Sequence, residues 1–303
     1  MDIDELDIRE AGSLSGLYNH ISDGVPFSFS VDEEQFAAGL VWQTEDHSHH
    51  GRLGDQRVLV CYRAGAPVGF VHTAVEDWEN RRRGVIRFLG FAPGDRLVGQ
   101  QLIERAELLL RNAGLDVVMA FATNYGYPFH LKATGTLSGR LPHILGLFGA
   151  NGYIISPHHR YQLCQDIHFD WPHLNLSKPD SPDEALIFHK ILDESAPELP
   201  KAIFRLEYNG EMVGESETWP VGRWTSVEGA RELFLISIDV GDPWQGRGWG
   251  RYLLSQGLWT MQQLGYHRAG LGTNVENFRA ISLYANMGFQ MAGTAYSLVK
   301  QFE

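Results

Sequence analysis

The sequence predicts two α/β units in tandem, each with helices packed on a mixed sheet. A strand–turn–strand hairpin pattern occurs twice, over residues 57–78 and 201–219, with a glycine in each turn. In both copies a strand, a short loop and a long amphipathic helix follow the hairpin. A polar, proline-containing run near residues 165–175 separates the copies. We therefore expect one domain over residues 1–168 and a second over residues 169–303.

The first unit begins with elements that the second lacks. Its predicted elements are, in order, a strand at 4–12, helices at 13–21 and 31–43, the hairpin, a strand at 84–91, a helix at 100–114, a strand at 115–121 and a final helix and strand within 143–154. Acidic residues at the start of the second helix suit a helix N-terminus. Gly114 follows the long helix and suits a left-handed C-cap.

The second unit repeats the later part of this order. Its predicted elements are the hairpin, a strand at 232–240, a helix at 251–265, a strand at 267–275 and a final helix and strand within 280–291. Gly265 takes the C-cap position of the long helix. Only residues 181–196 stand before its hairpin, so one helix has been lost or shortened there.

Composition excludes several classes of protein. The chain has 303 residues and a formal net charge of −12, which disfavours binding to phosphate backbones, so we expect no nucleic-acid partner. No apolar run is long enough to predict a membrane span, and the acidic N-terminus does not resemble a secretory signal. The two cysteines, Cys61 and Cys164, form no CxxC pair, which indicates a reducing, cytoplasmic location.

The histidines of the sequence do not predict a metal site. Their neighbours in the two histidine-rich segments are polar, and this favours loops over metal coordination. The histidines concerned are His47, His49, His50, His158 and His159. We therefore expect no metal.

The most informative segment runs from Val240 to Arg251. A strand ends there, glycines turn the chain, and an amphipathic helix begins. Backbone N–H groups at such a helix N-terminus form an anion site, and glycines let a diphosphate approach the main chain. Arg247 and Arg251 could add charge-assisted hydrogen bonds. The segment matches neither a P-loop nor a dinucleotide-binding fingerprint, and a glycine-rich turn without a ligand remains an alternative.

A second segment, residues 274–289, completes a resemblance. Together the two segments resemble the GNAT (GCN-related N-acetyltransferase) superfamily. Its first signature, Gln/Arg-x-x-Gly-x-Gly/Ala, is matched by Gln245, Gly248 and Gly250. Its later signature, Asn-x-x-Ala-x-x-Leu-Tyr-x-x-x-Gly-Phe, is matched by Asn277, Ala280, Leu283, Tyr284, Gly288 and Phe289. The sharp part of the resemblance covers residues 232–290.

The resemblance implies a cofactor and a binding mode. The family uses acetyl-coenzyme A, whose pyrophosphate would lie on main-chain amides just past the strand end. The residues concerned are Gly246, Arg247, Gly248, Trp249, Gly250 and Arg251, with Gln245 before them. The pantetheine arm would run beside Ile238 and Val240, where the fourth and fifth strands of the family splay apart. Asn277 would help to hold the arm.

The resemblance also implies catalytic roles. Tyr284 would act as general acid toward the leaving thiolate, while the amine attacks the thioester directly. An alkyl amine holds a proton near neutral pH, so a base must remove it. Glu232, on the predicted fourth strand, is the nearest candidate for that base, although a solvated carboxylate at the strand edge is an alternative. Glu215 and Glu217 could attract a cationic amine or could lie on a solvated sheet face.

The first half departs from the family at its working positions. Arg96 and Gly99 match the first signature, but Gln101 stands where Gly or Ala is expected. Phe148 occupies the position of Tyr284 and has no proton to donate. We therefore expect a degenerate GNAT-like domain, in an arrangement similar to that of tandem GNAT proteins such as mycothiol synthase.

These inferences predict an N-acetyltransferase whose chemistry lies in the C-terminal domain. Its acceptor would be a primary amine of a small molecule or a peptide, whose identity the sequence does not reveal. The alternatives are the same fold with another acyl-coenzyme A, and a non-catalytic module that senses coenzyme A. Monomer and homodimer are both compatible with the sequence.

Overall fold

The computed structural model describes most of the chain. The described residues are 1–43, 51–78, 81–123, 125–131, 134–155, 165–193, 195–223 and 225–302. The histidine-rich segments and Cys164 lie outside them.

The chain divides into two compact units, each with its own sheet and helices, which confirms the predicted tandem α/β architecture. The first unit contains Met1–Asp166 together with Gly293–Glu303, and the second contains Ile167–Ala292. The domain boundaries expected from the sequence put Gly293–Glu303 in the second domain, whereas in the structure this segment belongs to the first unit.

The first unit is built on a mixed sheet. Across the sheet the strands are β1 (Asp2–Leu6), β2 (Arg52–Arg63), β3 (Ala66–Trp78), β4 (Arg81–Phe91), β5 (Val117–Ala120), β16 (Leu298–Gln301) and β7 (Ile154–Ile155). Only the pairing of β4 with β5 is parallel among those described. A short strand, β6 (Leu137–Ser138), pairs with Ala295 and Tyr296 of β15 (Gln290–Tyr296).

Helices lie on both faces of this sheet. They are α1 (Ser15–Ser22), α2 (Glu33–Val41), α3 (Arg96–Asn112) and α4 (Pro142–Ala150). A Cβ on Gly90 of β4 would touch Ile21 of α1, while the neighbouring Phe91 packs on Gly99 of α3, so the two helices lie on opposite faces. Asp32 caps α2 through a capping box with Gln35, as the acidic start of this helix predicts.

The second unit has a sheet of similar order but fewer helices. Its strands run, across the sheet, as β15, β8 (Gln165–Trp171), β14 (Arg268–Asn274), β12 (Leu233–Ile236), β11 (Glu211–Pro220), β10 (Lys201–Tyr208) and β9 (Leu186–Asp193), and β13 (Asp239–Val240) also pairs with β11. Its helices are α5 (Trp249–Gln263) and α6 (Phe278–Met287). Residues 181–196, which replace the two leading helices of the first unit, supply the edge strand β9.

Tight turns close both hairpins, as the repeated pattern predicts. Ala64 and Gly65 join β2 to β3, and Asn209 and Gly210 join β10 to β11. All four have positive φ, from 51° to 84°, which is the geometry of the two-residue turn that matches strand twist. The two hairpins therefore form by the same local rule.

The C-terminal strand explains why the last residues join the first unit. β16 lies between β5 and β7 and pairs antiparallel with both. Leu298 faces Ala120 and Ile155 in this register, and its side chain is buried. Sequence periodicity identifies such a strand but not the sheet that accepts it.

Candidate functional site

A cleft of about 690 Å³ opens in the second unit where β12 and β14 separate. The parallel pairing of these strands ends at Leu235 and Gly270, although β14 continues to Asn274. Beyond this point β13 pairs only with β11 among the described strands, so the edge of residues 238–240 faces the cleft. This is the splayed arrangement that the resemblance predicted.

Three segments line the cleft: residues 238–240, the glycine turn that follows them, and α6 with its N-cap. The lining residues are Ile238, Asp239, Val240, Gln245, Gly246, Gly248, Gly250, Arg251, Asn277, Phe278, Arg279, Ala280, Ser282, Leu283 and Tyr284. Nine of the twelve predicted site residues are in this set, and Glu232, Arg247 and Trp249 are not.

The glycine turn presents backbone donors. Gly246 and Gly248 have φ of +79° and +82°, a conformation that a residue with a Cβ adopts only with strain. Gly248 is the N-cap of α5, whose first N–H groups have no partner within the helix. From Gly246 to Arg251, no backbone N–H has an acceptor among the residues that the structure describes. The turn therefore meets the requirements of an anion site.

Gln245 fixes the turn by its side chain. Its Nε2 donates to the Val240 carbonyl and to Asp242 Oδ1, both at 2.9 Å. Its Oε1 accepts from the Arg279 guanidinium at 2.6 Å. Gln245 thus joins the strand end to the start of α6, and it holds a cation at the cleft.

Asn277 begins α6 as its N-cap. Its Oδ1 accepts the Ala280 backbone N–H at 3.2 Å, which satisfies one of the free donors of the first turn. This cap fixes the helix that carries Arg279 and Tyr284. The side-chain amide nitrogen has no partner among the described residues and can serve a ligand.

Tyr284 is a buried phenol at the cleft wall. Its side chain is 6% exposed, and its ring packs edge-on against Phe169 and Phe289 with centroids 5.6 and 6.0 Å away. Burial raises the pKa of the phenol to about 12, so it is protonated at neutral pH. No described residue forms a hydrogen bond with its hydroxyl group.

The predicted residues outside the lining have other surroundings. The Arg247 guanidinium carbon lies 5.0 and 5.2 Å from the rings of Trp244 and Trp249, which stack on each other. The side chain of Trp249 is buried in this stack, so its part at the cleft is limited to its backbone. Glu232 is exposed in the turn before β12, and its carbonyl accepts N–H groups of His267 and Arg268.

Sequence reasoning missed two charged residues of the cleft, Asp239 and Arg279. Asp239 alternates with the apolar residues Ile238 and Val240, and Arg279 lies within the second signature. Both positions therefore carried a usable signal.

The acidic pair Glu215 and Glu217 forms salt bridges with Arg205 and Lys201 on the adjacent strand.

The corresponding place in the first unit is closed by its own side chains. α3 begins at Arg96 after a turn with one left-handed glycine, Gly94, instead of two, and the Phe91 ring lies where a Cβ on Gly99 would be 2.4 Å away. His143 Nε2 lies 2.9 Å from the Phe91 carbonyl oxygen. Phe148 is fully buried against Phe121.

The second unit is similar in sequence to a known family of enzymes. Residues 161–289 match a sequence model of the acetyltransferase (GNAT) family. This part of the chain is a GNAT domain. The matched family is one of acyltransferases, which supports this class of activity. Among proteins of curated function, none matches the sequence.

Solved structures share the fold over both units. A tandem GNAT protein from the clavulanic acid biosynthesis pathway matches with a TM-score of 0.68 and 14% identity over 99% of this chain and 98% of its own. A GCN5-related N-acetyltransferase from Sphaerobacter thermophilus matches with a TM-score of 0.63 and 14% identity over 99% and 95%. The tandem GNAT fold is thus confirmed.

A third match lies within a larger protein. It is a GCN5-related glucosamine N-acetyltransferase region of a fungal multi-domain GH3 beta-N-acetylglucosaminidase, with a TM-score of 0.64 and 16% identity. The match covers 98% of this chain but 38% of the fungal protein.

Neither a metal-binding cluster nor a membrane-spanning helix occurs among the described residues. Across the described residues, no group of three or more His, Cys, Asp or Glu side chains is placed to hold a metal ion. No described helix is both long and apolar enough to cross a bilayer.

Proposed function

We propose that the GNAT domain binds acetyl-coenzyme A in the cleft and transfers the acetyl group to a primary amine of a small molecule or peptide. The observation that carries this proposal is the row of free backbone N–H groups from Gly246 to Arg251, beside the buried phenol of Tyr284. An anion site and a proton donor at one cleft are what a thioester of coenzyme A requires.

Binding would use the main chain of the turn and two arginines. The pyrophosphate would lie on the N–H groups at the start of α5, strengthened by the helix dipole. Arg251 and Arg279 line the cleft and supply positive charge. The free edge of residues 238–240 offers sheet-like hydrogen bonds to the amides of the pantetheine arm.

In the reaction, the amine nitrogen attacks the carbonyl carbon of the thioester. A C–N bond forms and the C–S bond breaks, so the sulfur leaves as a thiolate. The ordinary pKa of a thiol is about 8.5, well below that of Tyr284 at about 12. The phenol therefore acts mainly by donating a hydrogen bond to the departing sulfur. The amine nitrogen loses one proton as the amide forms, and the thiolate takes up one proton to give free coenzyme A.

Two carboxylates compete for the role of base. Glu232 is the residue that the sequence suggested, and Asp239 is the acidic residue that lines the cleft. Because a base acts within hydrogen-bond reach or through one water, the position of Asp239 favours it. Asp239→Asn should lower kcat/KM more than Glu232→Gln, and the reverse result would restore Glu232 to the role.

A screen for acetyl transfer tests the proposed function. The full chain would be incubated with acetyl-coenzyme A and amines of several classes: glucosamine, aminoglycosides, amino acids, polyamines and peptides with free N-termini. We expect amine-dependent release of free coenzyme A and a product heavier by one acetyl group. Glucosamine belongs in the set because the fungal match acts on it by name.

The competing proposal is a module that senses coenzyme A without turnover. It predicts tight binding of acetyl-coenzyme A with no product from any amine. Turnover with propionyl- or malonyl-coenzyme A, but not acetyl-coenzyme A, would instead keep the enzyme and change the acyl group.

A further inference from the structure

A second cavity, of about 410 Å³, lies in the GNAT domain along the C-terminal half of α5. We call it the lysine pocket. Its lining residues are Lys178, Phe188, Lys190, Tyr252, Gln256, Trp259, Thr260, Gln263 and Leu264. It shares no lining residue with the coenzyme A cleft.

One wall of the lysine pocket is fixed by glutamines of α5. The Gln262 Oε1 accepts the Leu176 backbone N–H at 2.8 Å, and the Gln256 Nε2 donates to the Pro179 carbonyl at 3.1 Å. Gln256 is 5% exposed, and its Nε2 also donates to the Tyr252 hydroxyl at 3.1 Å. The segment that carries Lys178 is thus held in place without a ligand.

The floor of the lysine pocket is aromatic. Phe188 stacks on the fully buried Phe204 with ring centroids 5.5 Å apart and an interplanar angle of 21°. Tyr252 is buried and Trp259 is half-buried on the adjacent face of α5. A flat apolar group placed here would displace water from several rings at once.

The rim of the lysine pocket is positive. Lys178 and Lys190 are exposed, neither forms a salt bridge with a described carboxylate, and no lining residue is acidic. The Lys178 Nζ lies 5.8 Å from the centre of the Trp259 ring. Two cations with no acidic residue in the pocket lining favour an anionic ligand.

We propose that the lysine pocket binds a small organic anion with a flat apolar body, of the class of aromatic carboxylates. The rings would contact the body, and the two ammonium groups would contact the carboxylate. A cationic amine is disfavoured by the same two lysines, so this pocket is distinct from any site for the acceptor.

Calorimetric titration of the full chain with naphthoate tests the proposal. We expect one molecule bound per chain, with naphthalenemethanol, the uncharged counterpart, binding about tenfold more weakly because it lacks the charge. The charge-reversal variant Lys178→Glu/Lys190→Glu should lose about tenfold or more in naphthoate affinity. Lys178→Arg/Lys190→Arg keeps the charge and should bind naphthoate as the unaltered protein does.

The position of the ligand is tested by competition with coenzyme A and by a substitution in the aromatic floor of the pocket. Saturating coenzyme A should leave naphthoate binding unchanged, and Trp259→Ala should weaken it. Thermal unfolding of each variant shows that the fold is retained. The proposal is overturned if naphthoate does not bind, if the glutamate variant binds it as tightly as the arginine variant, or if coenzyme A displaces it. None of these results depends on whether the cleft supports acetyl transfer.

Discussion

The two halves of the molecule differ most at one place, where a strand ends and the long helix begins. In the second half the chain passes from Val240 to Trp249 through two left-handed glycines, and from Gly246 onward its backbone N–H groups have no acceptor among the described residues. In the first half it passes from Phe91 to Arg96 through a shorter turn with one left-handed glycine, Gly94. A repeated fold therefore carries the proposed ligand site in one copy and a filled core in the other.

The same contrast extends to the following helix. Counting back from Tyr284 and Phe148, Arg279 corresponds to His143. Arg279 binds Gln245 at the cleft, whereas His143 binds the Phe91 carbonyl, the counterpart of the strand edge that pantetheine would use. The first unit thus has the same scaffold, but the strand-edge carbonyl at this place is paired within the unit, as buried polar groups generally are.

The largest expected effect comes from the glycine turn. Gly248→Val places a β-branched side chain at φ of +82° and beside the proposed position of the phosphates. We expect acetyl-coenzyme A affinity to fall about a hundredfold, because strain and steric exclusion add. Gly94, at φ of +93° in the first half, is the matched control.

Calorimetry of both variants decides this prediction. Gly94→Val should bind acetyl-coenzyme A as the unaltered chain does, with one molecule per chain. Two equivalent sites in the unaltered chain, or loss of binding in Gly94→Val, would contradict the distinction between the halves.

Removal of the phenol tests the chemistry directly. Tyr284→Phe should lower kcat about a hundredfold with little change in acetyl-coenzyme A affinity, because only the departing sulfur uses the hydroxyl. The reciprocal change, Phe148→Tyr, should create no activity and should destabilise the first unit by about 1–3 kcal/mol, since it buries an unpaired hydroxyl. Unchanged turnover in Tyr284→Phe would remove this residue from the mechanism.

Acid should weaken the first unit through His130. Burial lowers the pKa of this histidine to about 3, so the unfolded chain binds its proton first as the pH falls. The stability of the neutral form is fully present above about pH 6.5 and should decrease by about 2 kcal/mol between pH 7 and pH 5. His72 is buried as well, and its pKa is lowered in the same direction.

Denaturant titrations at the two pH values measure this effect. His130→Gln cannot titrate, so the pH dependence of its unfolding free energy should be smaller by His130's share. The exposed His20 supplies the control, because His20→Gln should leave the dependence unchanged. An equal dependence in all three proteins would refute the assignment.

The smallest expected effect concerns the cation at the cleft. Arg279→Ala should weaken acetyl-coenzyme A binding about tenfold, because it removes one charge and frees Gln245. His143→Ala, at the corresponding position of the first half, should not change the affinity measured in the same titration. Equal losses in both variants would mean that the halves share the ligand.

Much of the fold was predictable because its signals are local. Gly114 and Gly265 have positive φ after the two long helices, as the predicted C-caps require. The turn at Gly246–Gly248 and its helix were also identified, because a left-handed glycine leaves a distinct pattern in the sequence. These features depend on neighbours within a few residues.

The missed features depend on distant parts of the chain. β9 forms because its residues gain a partner strand, β10, rather than because of their own propensity, and no strand was predicted there. Asp239 reaches the cleft only because β12 and β14 separate, and the sequence of one strand does not show where its partner leaves it. Glu232 was suggested by its place on the predicted fourth strand, which does not give the distance to a cleft.

The position of β16 has a consequence for biosynthesis. The first unit holds an open place between β5 and β7 until Leu298–Gln301 arrives, after the entire GNAT domain has left the ribosome. Nascent chains would therefore carry an unfinished sheet edge through most of translation, a state that invites mispairing. Cutting the chain between its two halves would not release two independent proteins but would leave the first without a strand from its interior.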